Sequence, residues 1–513
     1  MTDGTGIKDA ASLAHGNPLT ARRLGIDTQD ESVIFLRKDS DICRSEGFTS
    51  HARVRVTQGD RSIIATLFQV TSNLLHHFEA GLSEAAWSRL GLTEGAHVWV
   101  SHLPPLDSLS ILRSKVYGHR LGAAALRSVI SDVAGGLYSG IELSSLVTVC
   151  SARPLDLHEI VGLTRAMVDV GDRLTWDCSP VLDKHSVGGL PGNRTTPIVV
   201  AIVAACGLTI PKTSSRAITS PAGTADVMET LTKVDIDVPH MRRVVEAEGG
   251  CLVWGGAARL SPADDILIRV ERVLDLDSEG QLIASVLSKK IAAGASHVVL
   301  DLPVGPTAKV RSQDAADAVS RGLTDVAQTF GLKTVILRSD GTQPVGHGIG
   351  PALEARDVLA VLTGKPDAPA DLRERALVLA GAALELGNAA RTGEGAAVAR
   401  SVLTDGRAWA KFQRICEAQG GLREPPVAPQ TRPILSPRGG HIAAIDNRKL
   451  ARLAKLAGAP DAKSAGISLH VRLGDSVLAG EPLCTLHAES LGELDYALAF
   501  ATAIPDIITV STP

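Results

Sequence analysis

The chain has 513 residues, 44% of them hydrophobic and 21% charged, with 49 glycines and a formal net charge of -4. That balance suits a soluble α/β protein of roughly three or four domains, and it argues against a disordered or fibrous chain and against a general nucleic-acid or membrane surface. The seven cysteines (Cys43, Cys150, Cys178, Cys206, Cys251, Cys416 and Cys484) are scattered and never form a CxxC pair, which fits buried thiols in a reducing compartment rather than disulfides or zinc. No metal and no cofactor is expected. The opening Met1-Thr-Asp-Gly-Thr-Gly-Ile-Lys8 lacks the basic and apolar regions of a signal peptide. The longest apolar run, around Pro197 to Leu208, falls short of the ~20 residues that span a bilayer, so a cytoplasmic location is expected.

The first ~30 residues show no sustained period and read as loosely structured. Arg53-Val-Arg-Val-Thr57, the turn at Gly59-Asp60 and Ser62 to Val70 predict a hairpin, and His97 to Leu103 a further strand. Pro104-Pro105 closes a β-rich N-terminal domain over 1–100. Apolar stripes at helical spacing then run through Leu109 to Met167, with Asp156 as a cap for the last helix. A helical domain over 101–175 that packs against a second domain or a second copy of itself is expected, completed by the helical stretch 264–294.

Residues 176–430 alternate strands and helices. His297 to Leu302 and Lys333 to Arg338 are buried-type strands flanking a helix from Ser312 to Phe330, which is the grammar of a parallel sheet. A short strand at Leu208-Thr-Ile210 and a helix through Ala225 to Leu231 are also expected. Gly346-His-Gly-Ile-Gly350 has the wrong spacing for a dinucleotide fingerprint. After the proline-rich linker 424–433, residues 431–513 predict a small α+β unit resembling a barrel-sandwich, with no lysine in its turn to carry a lipoyl or biotinyl group.

Three stretches carry the chemistry. In Asp183-Lys-His-Ser-Val-Gly-Gly-Leu-Pro-Gly-Asn-Arg-Thr-Thr-Pro197, glycines 188, 189 and 192 let the backbone face a ligand, and Thr196 before Pro197 predicts a helix N-cap. Lys184, His185 and Ser186 place a cation, a proton carrier and a hydroxyl beside the positive end of that helix, as an anion site requires. The second stretch, Lys212 to Thr224, gathers six hydroxyls, a lysine and an arginine, a density that a phosphate and a pentose would satisfy. In the third, Ser285 and Lys289 lie four apart on one face of a helix. Taken singly, the first two also fit capped polar turns, and the third a solvated helix face.

Together these stretches resemble the thymidine phosphorylase family, which includes pyrimidine-nucleoside phosphorylases and AMP phosphorylase. Asp183-Lys-His-Ser-Val-Gly-Gly, Pro211-Lys-Thr-Ser-Ser-Arg, Ala222-Gly-Thr-Ala-Asp, Ala263-Asp, Ala284-Ser-Val-Leu-Ser-Lys-Lys and Ala308-Lys-Val occur in family order. The resemblance implies an α/β fold class: a helical domain hinged to a mostly parallel α/β domain, within a homodimer or larger homo-oligomer. It implies a pentosyltransferase that splits a pyrimidine nucleoside such as thymidine with phosphate as co-substrate. By resemblance, Lys184, Ser186, Thr196, Ser214 and Thr224 hold phosphate, His185 stands beside the leaving base, and Ser285 and Lys289 bind the polar edge of that base.

The arginine that the pyrimidine enzymes carry upstream falls on Val270 here, flanked by Arg269 and Arg272. The β-rich leader and the 215–220 stretch look more like the AMP phosphorylase branch, which would produce ribose 1,5-bisphosphate. That branch implies nucleotide contacts from Gly189, Ser215, Arg216, Thr219, Ser220, Thr224, Ser285 and Lys309, with Asp277 as proton donor. A phosphoribosyltransferase or a non-catalytic phosphate binder are the remaining alternatives.

Overall fold

The computed structural model describes residues 18–28, 31–192, 194–217, 220–274, 276 and 278–511. The chain forms two compact units, one made of residues up to 119 with 131–146, the other of residues 120–130 with 147 onward.

The first unit is built on a closed barrel with strand order β1-β5-β2-β4-β3-β6. In chain order these are β1 (Leu19–Arg23), β2 (Val33–Arg37), β3 (Arg53–Gln58), β4 (Arg61–Val70), β5 (Glu79–Leu82) and β6 (His97–His102), with α1 (Asp41–Ser45) and α2 (Glu84–Leu90) between them. Alternation puts Val54 and Val56 of β3 into the barrel core with Leu36, Leu67 and Leu82. The hairpin Arg53 to Val70 and the strand at His97 form as the pattern predicts. Within the first thirty residues, of which 1–17 and 29–30 lie outside the described residues, one segment departs from it. Leu19–Arg23 is a strand, too short to show a period, and its pairing partners β5 and β6 lie some sixty to eighty residues further on.

Four helices follow: α3 (Asp107–Val116), α4 (Ala123–Ala134), α5 (Gly140–Ala152) and α6 (Leu157–Asp169). Asp156 caps α6 in a full capping box with Glu159.

The core of the second unit is a parallel sheet. Its elements are β7 (Leu182–Ser186), α7 (Thr195–Ala205), β8 (Ile210–Ser214), α8 (Thr224–Glu229), α9 (Val238–Glu248), β9 (Gly250–Trp254), α10 (Pro262–Leu274), α11 (Glu279–Ala292), β10 (His297–Val304), α12 (Gln313–Thr329) and β11 (Lys333–Asp340). β10 lies between β7 and β11, β8 pairs with β9, and a bridge from Val181 to Thr209 sets β8 beside β7, all parallel. α11 lies against α6, where Gly280 removes the side chain that would collide with Leu155 and Ile160.

Two local expectations change. The strand after α7 begins at Ile210 rather than Leu208 and runs to Ser214, so Lys212 to Ser214 are strand residues, drawn in by register with Leu252 to Trp254. The helix start also moves. Thr196 is not the cap: α7 begins at Thr195, and Arg194 takes the cap position without a side-chain bond. The fully buried Arg194 instead pairs with Glu354 at 3.5 Å and Asp357 at 3.1 Å, pinning the start of α7 to the later helix Pro351–Leu362. α7 is apolar on every side from Pro197 onward and is buried all round, as such a helix must be.

The remaining elements are β12 (Gly348–Ile349), α13 (Pro351–Leu362), α14 (Ala370–Leu386), α15 (Gly395–Thr404), α16 (Arg407–Gln419), β13 (Gln430–Leu435), β14 (Gly440–Ile445), α17 (Asn447–Leu456), β15 (Gly466–Leu469), β16 (Ser476–Val477), β17 (Pro482–Ala488), α18 (Leu491–Ala503) and β18 (Ile508–Ser511). Helices α14 to α16 enclose α7. A four-stranded sheet (β12-β15-β17-β13) and a three-stranded sheet (β16-β14-β18) share a core with α17 and α18. Among the described residues, no helix is long and apolar enough to cross a membrane.

Candidate active site

The site grows from the C-terminal end of β7, where alternation sends Lys184 and Ser186 to one face of the sheet and Asp183 and His185 to the other. Beyond it the chain turns at Gly188 and Gly189, whose φ values of 118° and 49° suit glycine, and enters α7. Gly192 serves a different need. Any side chain there would strike the Ser186 hydroxyl.

On the first face, the fully buried Lys184 Nζ donates to Thr195 Oγ1 at 2.6 Å and lies 3.3 Å from Thr196 Oγ1. Among the described residues, no carboxylate stands within ion-pairing distance of it. Burial pushes the Lys184 ammonium down to about 8, with the Asp301 charge acting in the opposite direction. Thr195 Oγ1 passes its own proton to Gly192 O at 2.9 Å. Ser186 Oγ donates to Asp301 Oδ2 at 2.8 Å, across the register pair that joins β7 to β10, and Ser339 Oγ of β11 donates to Asp301 Oδ1 at 2.5 Å. Ser214 Oγ, at the end of β8, is buried with no hydrogen-bond partner among the described residues. Cation, helix N-terminus and available hydroxyls are the parts of an anion cradle.

On the second face, the buried Asp183 carboxylate sits between Lys212 Nζ at 3.3 Å and Lys290 Nζ at 2.9 Å. Burial pushes the Lys212 ammonium down, with Asp183 opposing the shift. Burial and the ammoniums of Lys290, Lys212, Lys184 and Lys289 hold the His185 imidazole well below its ordinary 6.5. His185 is therefore neutral at physiological pH. It offers a hydrogen bond rather than a charge.

A third cluster joins α10 to α11. Asp264 Oδ2 accepts from Ser285 Oγ at 3.0 Å and pairs with Lys289 Nζ at 2.5 Å, and Lys289 Nζ also reaches Ser215 Oγ at 3.3 Å. Against the pull of burial, Asp264 and Asp265 hold the Lys289 ammonium above its ordinary 10.5. Ser285 and Lys289 thus share a face and a carboxylate, and Ser215 of the second stretch meets them. Arg269 and Arg272 are exposed on α10, and neither is hydrogen-bonded to Ser285.

The second stretch is more self-contained than its composition implies. Lys212 is taken by Asp183, and Arg216 by Glu229 at 2.7 Å and Asp226 at 3.3 Å, with its guanidinium over the Trp254 ring. Asp226 accepts from the N–H groups of Ala217 and Gly223 at 2.6 and 2.9 Å, and Ser220 Oγ donates to Ala222 O, so the loop is closed on itself. Its basic charge is internal. Thr224 opens α8, and Lys309 is exposed, with its Cβ close against Gly188. Gly189 faces open space. Thr219 and Asp277 lie outside the described residues.

Sequence reasoning gave the acids no role and did not single out Asp301. Asp301 and Asp264 organise the hydroxyls and the lysine, and Asp183 separates two of the cations. An aspartate inside the otherwise apolar strand Val298-Val-Leu-Asp-Leu302 was the available signal, since such a side chain is almost never buried without partners.

Comparison with known proteins agrees with this arrangement. The helical bundle domain of a glycosyl transferase family matches residues 109–171, its a/b domain matches 179–409, and a pyrimidine nucleoside phosphorylase C-terminal domain matches 441–504. Anthranilate phosphoribosyltransferase from Thermus thermophilus shares the fold, with TM-score 0.51 and 21% identity over 60% of this chain and 99% of its own. Fold and matched domains together define a glycosyltransferase that joins a helical bundle to a parallel α/β domain. The chain is 62% identical over 497 residues, 97% of each protein, to "Putative thymidine phosphorylase 1" of Acidovorax sp. (strain JS42). It is 59% identical over 493 residues, 96% of this chain and 97% of the other, to "Putative thymidine phosphorylase" of Chelativorans sp. (strain BNC1). The chain belongs to the thymidine phosphorylase family of pentosyltransferases.

Proposed function

We propose that the protein uses inorganic phosphate to split a pyrimidine nucleoside such as thymidine, releasing the free base and (deoxy)ribose 1-phosphate. The observation that carries this reading is Lys184, a buried ammonium at a helix N-terminus whose partners are hydroxyls and not a carboxylate. Burying such a charge is costly unless a counter-ion arrives, and phosphate is one. Lys184, Ser186, Thr196, Ser214 and Thr224 then surround the anion. Ser285 and Lys289 take the polar edge of the base, with Ser215 beside Lys289, and His185 stands beside it as a neutral hydrogen-bond donor.

In the reaction a phosphate oxygen forms a bond to C1′ as the N-glycosidic bond breaks, and the bonding pair leaves with the base. The proton that monohydrogen phosphate brings balances the one the released base acquires, directly or through solvent. The cradle holds the nucleophile in line, and the Lys289 ammonium with the His185 N–H stabilises charge growing on the base. Asp264 holds the Lys289 ammonium in place until then.

A second reading, phosphorolysis of a nucleoside monophosphate such as AMP, draws support from the exposed Lys309 beside Gly188 and the open backbone at Gly189, where a 5′-phosphate could be received. In that reading Asp277 serves as proton donor. We further propose a homodimeric cytoplasmic enzyme that needs no cofactor. The test is phosphate-dependent base release from thymidine, uridine, cytidine, AMP and CMP. Release from thymidine or uridine supports the first reading, release from AMP alone the second. Dependence on pyrophosphate instead of phosphate would reject both.

A further inference from the structure

The protons of the cradle can be counted. Four hydroxyls border the Lys184 ammonium or lie at the adjoining strand ends, and a hydroxyl has one proton to give and two lone pairs to offer. Thr195 donates its hydrogen bond to Gly192 O, and Ser186 donates its hydrogen bond to Asp301. Thr196 accepts from Lys184 and, like Ser214, donates to no partner among the described residues. The two kinds of hydroxyl cannot treat an anion alike. Ser214 and Thr196 can donate to an oxyanion, whereas Ser186 presents lone pairs to it.

Ser186 is held in that orientation. Asp301 is fully buried in β10, and if Ser186 turned its proton away, Oδ2 would be left as an unpaired carboxylate oxygen beside an incoming anion. Ser339 already donates to the other oxygen, so turning the carboxylate over would only exchange which oxygen is left without a partner. A side chain at Gly192 would strike the Ser186 hydroxyl and crowd Asp301 Oδ2, so glycine there leaves the pair undisturbed.

We infer that Asp301, acting through Ser186, selects an oxyanion that carries a proton. The inference rests on the reading of this cradle as a phosphate site. Lone pairs on Ser186 accept a hydrogen bond from the P–OH of monohydrogen phosphate and repel a fully deprotonated anion of the same shape and charge, such as sulfate. The same contact fixes which oxygen bears the proton. It turns the unprotonated oxygens toward Lys184, Ser214 and the anomeric carbon, where a nucleophile is needed. Asp301 is thus a positioning residue: it touches Ser186 and not the substrate.

The experiment measures the KM for phosphate, the KM for arsenate and the Ki for sulfate at a pH where all three are dianions, in the intact enzyme and in Asp301→Asn and Ser186→Ala. In the native enzyme arsenate, which also carries a proton, should replace phosphate, and sulfate should bind at least about a hundredfold more weakly, as expected of a site that loses a hydrogen bond to the wrong ligand. In Asp301→Asn the amide can donate to Ser186 Oγ and free its proton to face the anion, so the sulfate-to-phosphate ratio should fall about tenfold or more. Ser186→Ala should lower the ratio in the same direction. Native discrimination near unity overturns the inference, as does an unchanged ratio in a variant that still turns over. If Asp301→Asn fails to fold, as shown by its circular dichroism melt, the ratio in Ser186→Ala decides. A native enzyme that shows no saturation by phosphate at all defeats the underlying reading instead, and the two failures are therefore distinct.

Discussion

The two lysines at the ends of the site live under opposite rules. Lys289, on the base side, keeps a permanent counter-ion in Asp264 and holds its proton more tightly than a lysine in water. Lys184, in the cradle, is bonded to hydroxyls and, among the described residues, has no carboxylate within ion-pairing distance, and burial loosens its proton. The contrast follows from what each must meet. A neutral base brings no charge to offset a buried ammonium, so the protein supplies the offset itself. Phosphate brings its own, so a carboxylate paired with Lys184 would compete with it.

This comparison breaks most sharply at Lys184. Lys184→Met should reduce phosphate-dependent turnover by roughly three orders of magnitude, the scale on which removal of a preorganised charge acts. The same change should raise the melting temperature in phosphate-free buffer, because it removes a buried charge that lacks a carboxylate partner. Stability lost together with activity would count against the cradle. The mirror experiment is Asp264→Asn. It strands the Lys289 ammonium without its partner, so the fold should lose about 3 kcal/mol or more in a denaturant titration, and the proton on Lys289 should become easier to remove. An Asp264→Asn protein as stable as the parent would show that the pair is not the source of the difference.

Less of this contrast was legible in the sequence than the motifs suggest. Lys184, His185 and Ser186 are contiguous, and Ser285 and Lys289 share a helical face, so local periodicity alone brings each set together. The acids that give them their character arrive from afar. Ser186 and Asp301 are 115 residues apart, and so are brought together only by the parallel register of β7 with β10. Composition also misled in the second stretch, where Lys212 and Arg216 looked available for phosphate and are instead spent on Asp183, Asp226 and Glu229. A count of basic residues cannot see the carboxylates folded against them. The barrel hairpin and the helices were readable because their signals are short-range, whereas β1 depends on strands far along the chain.

His185 sharpens the comparison from the side. Burial, reinforced by four surrounding ammoniums, keeps its imidazole neutral, so the pH dependence of turnover should show no acid limb near the ordinary histidine value of 6.5. His185→Ala should lower kcat by about a hundredfold, the usual range for a positioned proton-sharing group, with little change in the KM for phosphate. A limb near 6.5 that vanished in His185→Ala would mean that the imidazole titrates after all.

The smallest effect is the most diagnostic of Lys184. Its folded-state pKa of about 8 lies below the ordinary 10.5, so between those values the unfolded chain binds more protons than the folded one, and stability attributable to this group rises with pH through that window. Phosphate needs the charged form. Above about 8 the free enzyme must take up a proton to bind it, so the KM for phosphate should climb by up to about tenfold per pH unit while kcat, measured with phosphate in place, stays level. Lys289 offers the control, because its pKa lies above 10.5 and it stays charged throughout. If KM and kcat fell away together above 8, the titrating group would belong to the bound complex. If neither moved until near 10.5, Lys184 would have a counter-ion after all, and the distinction between the two ends of the site would collapse.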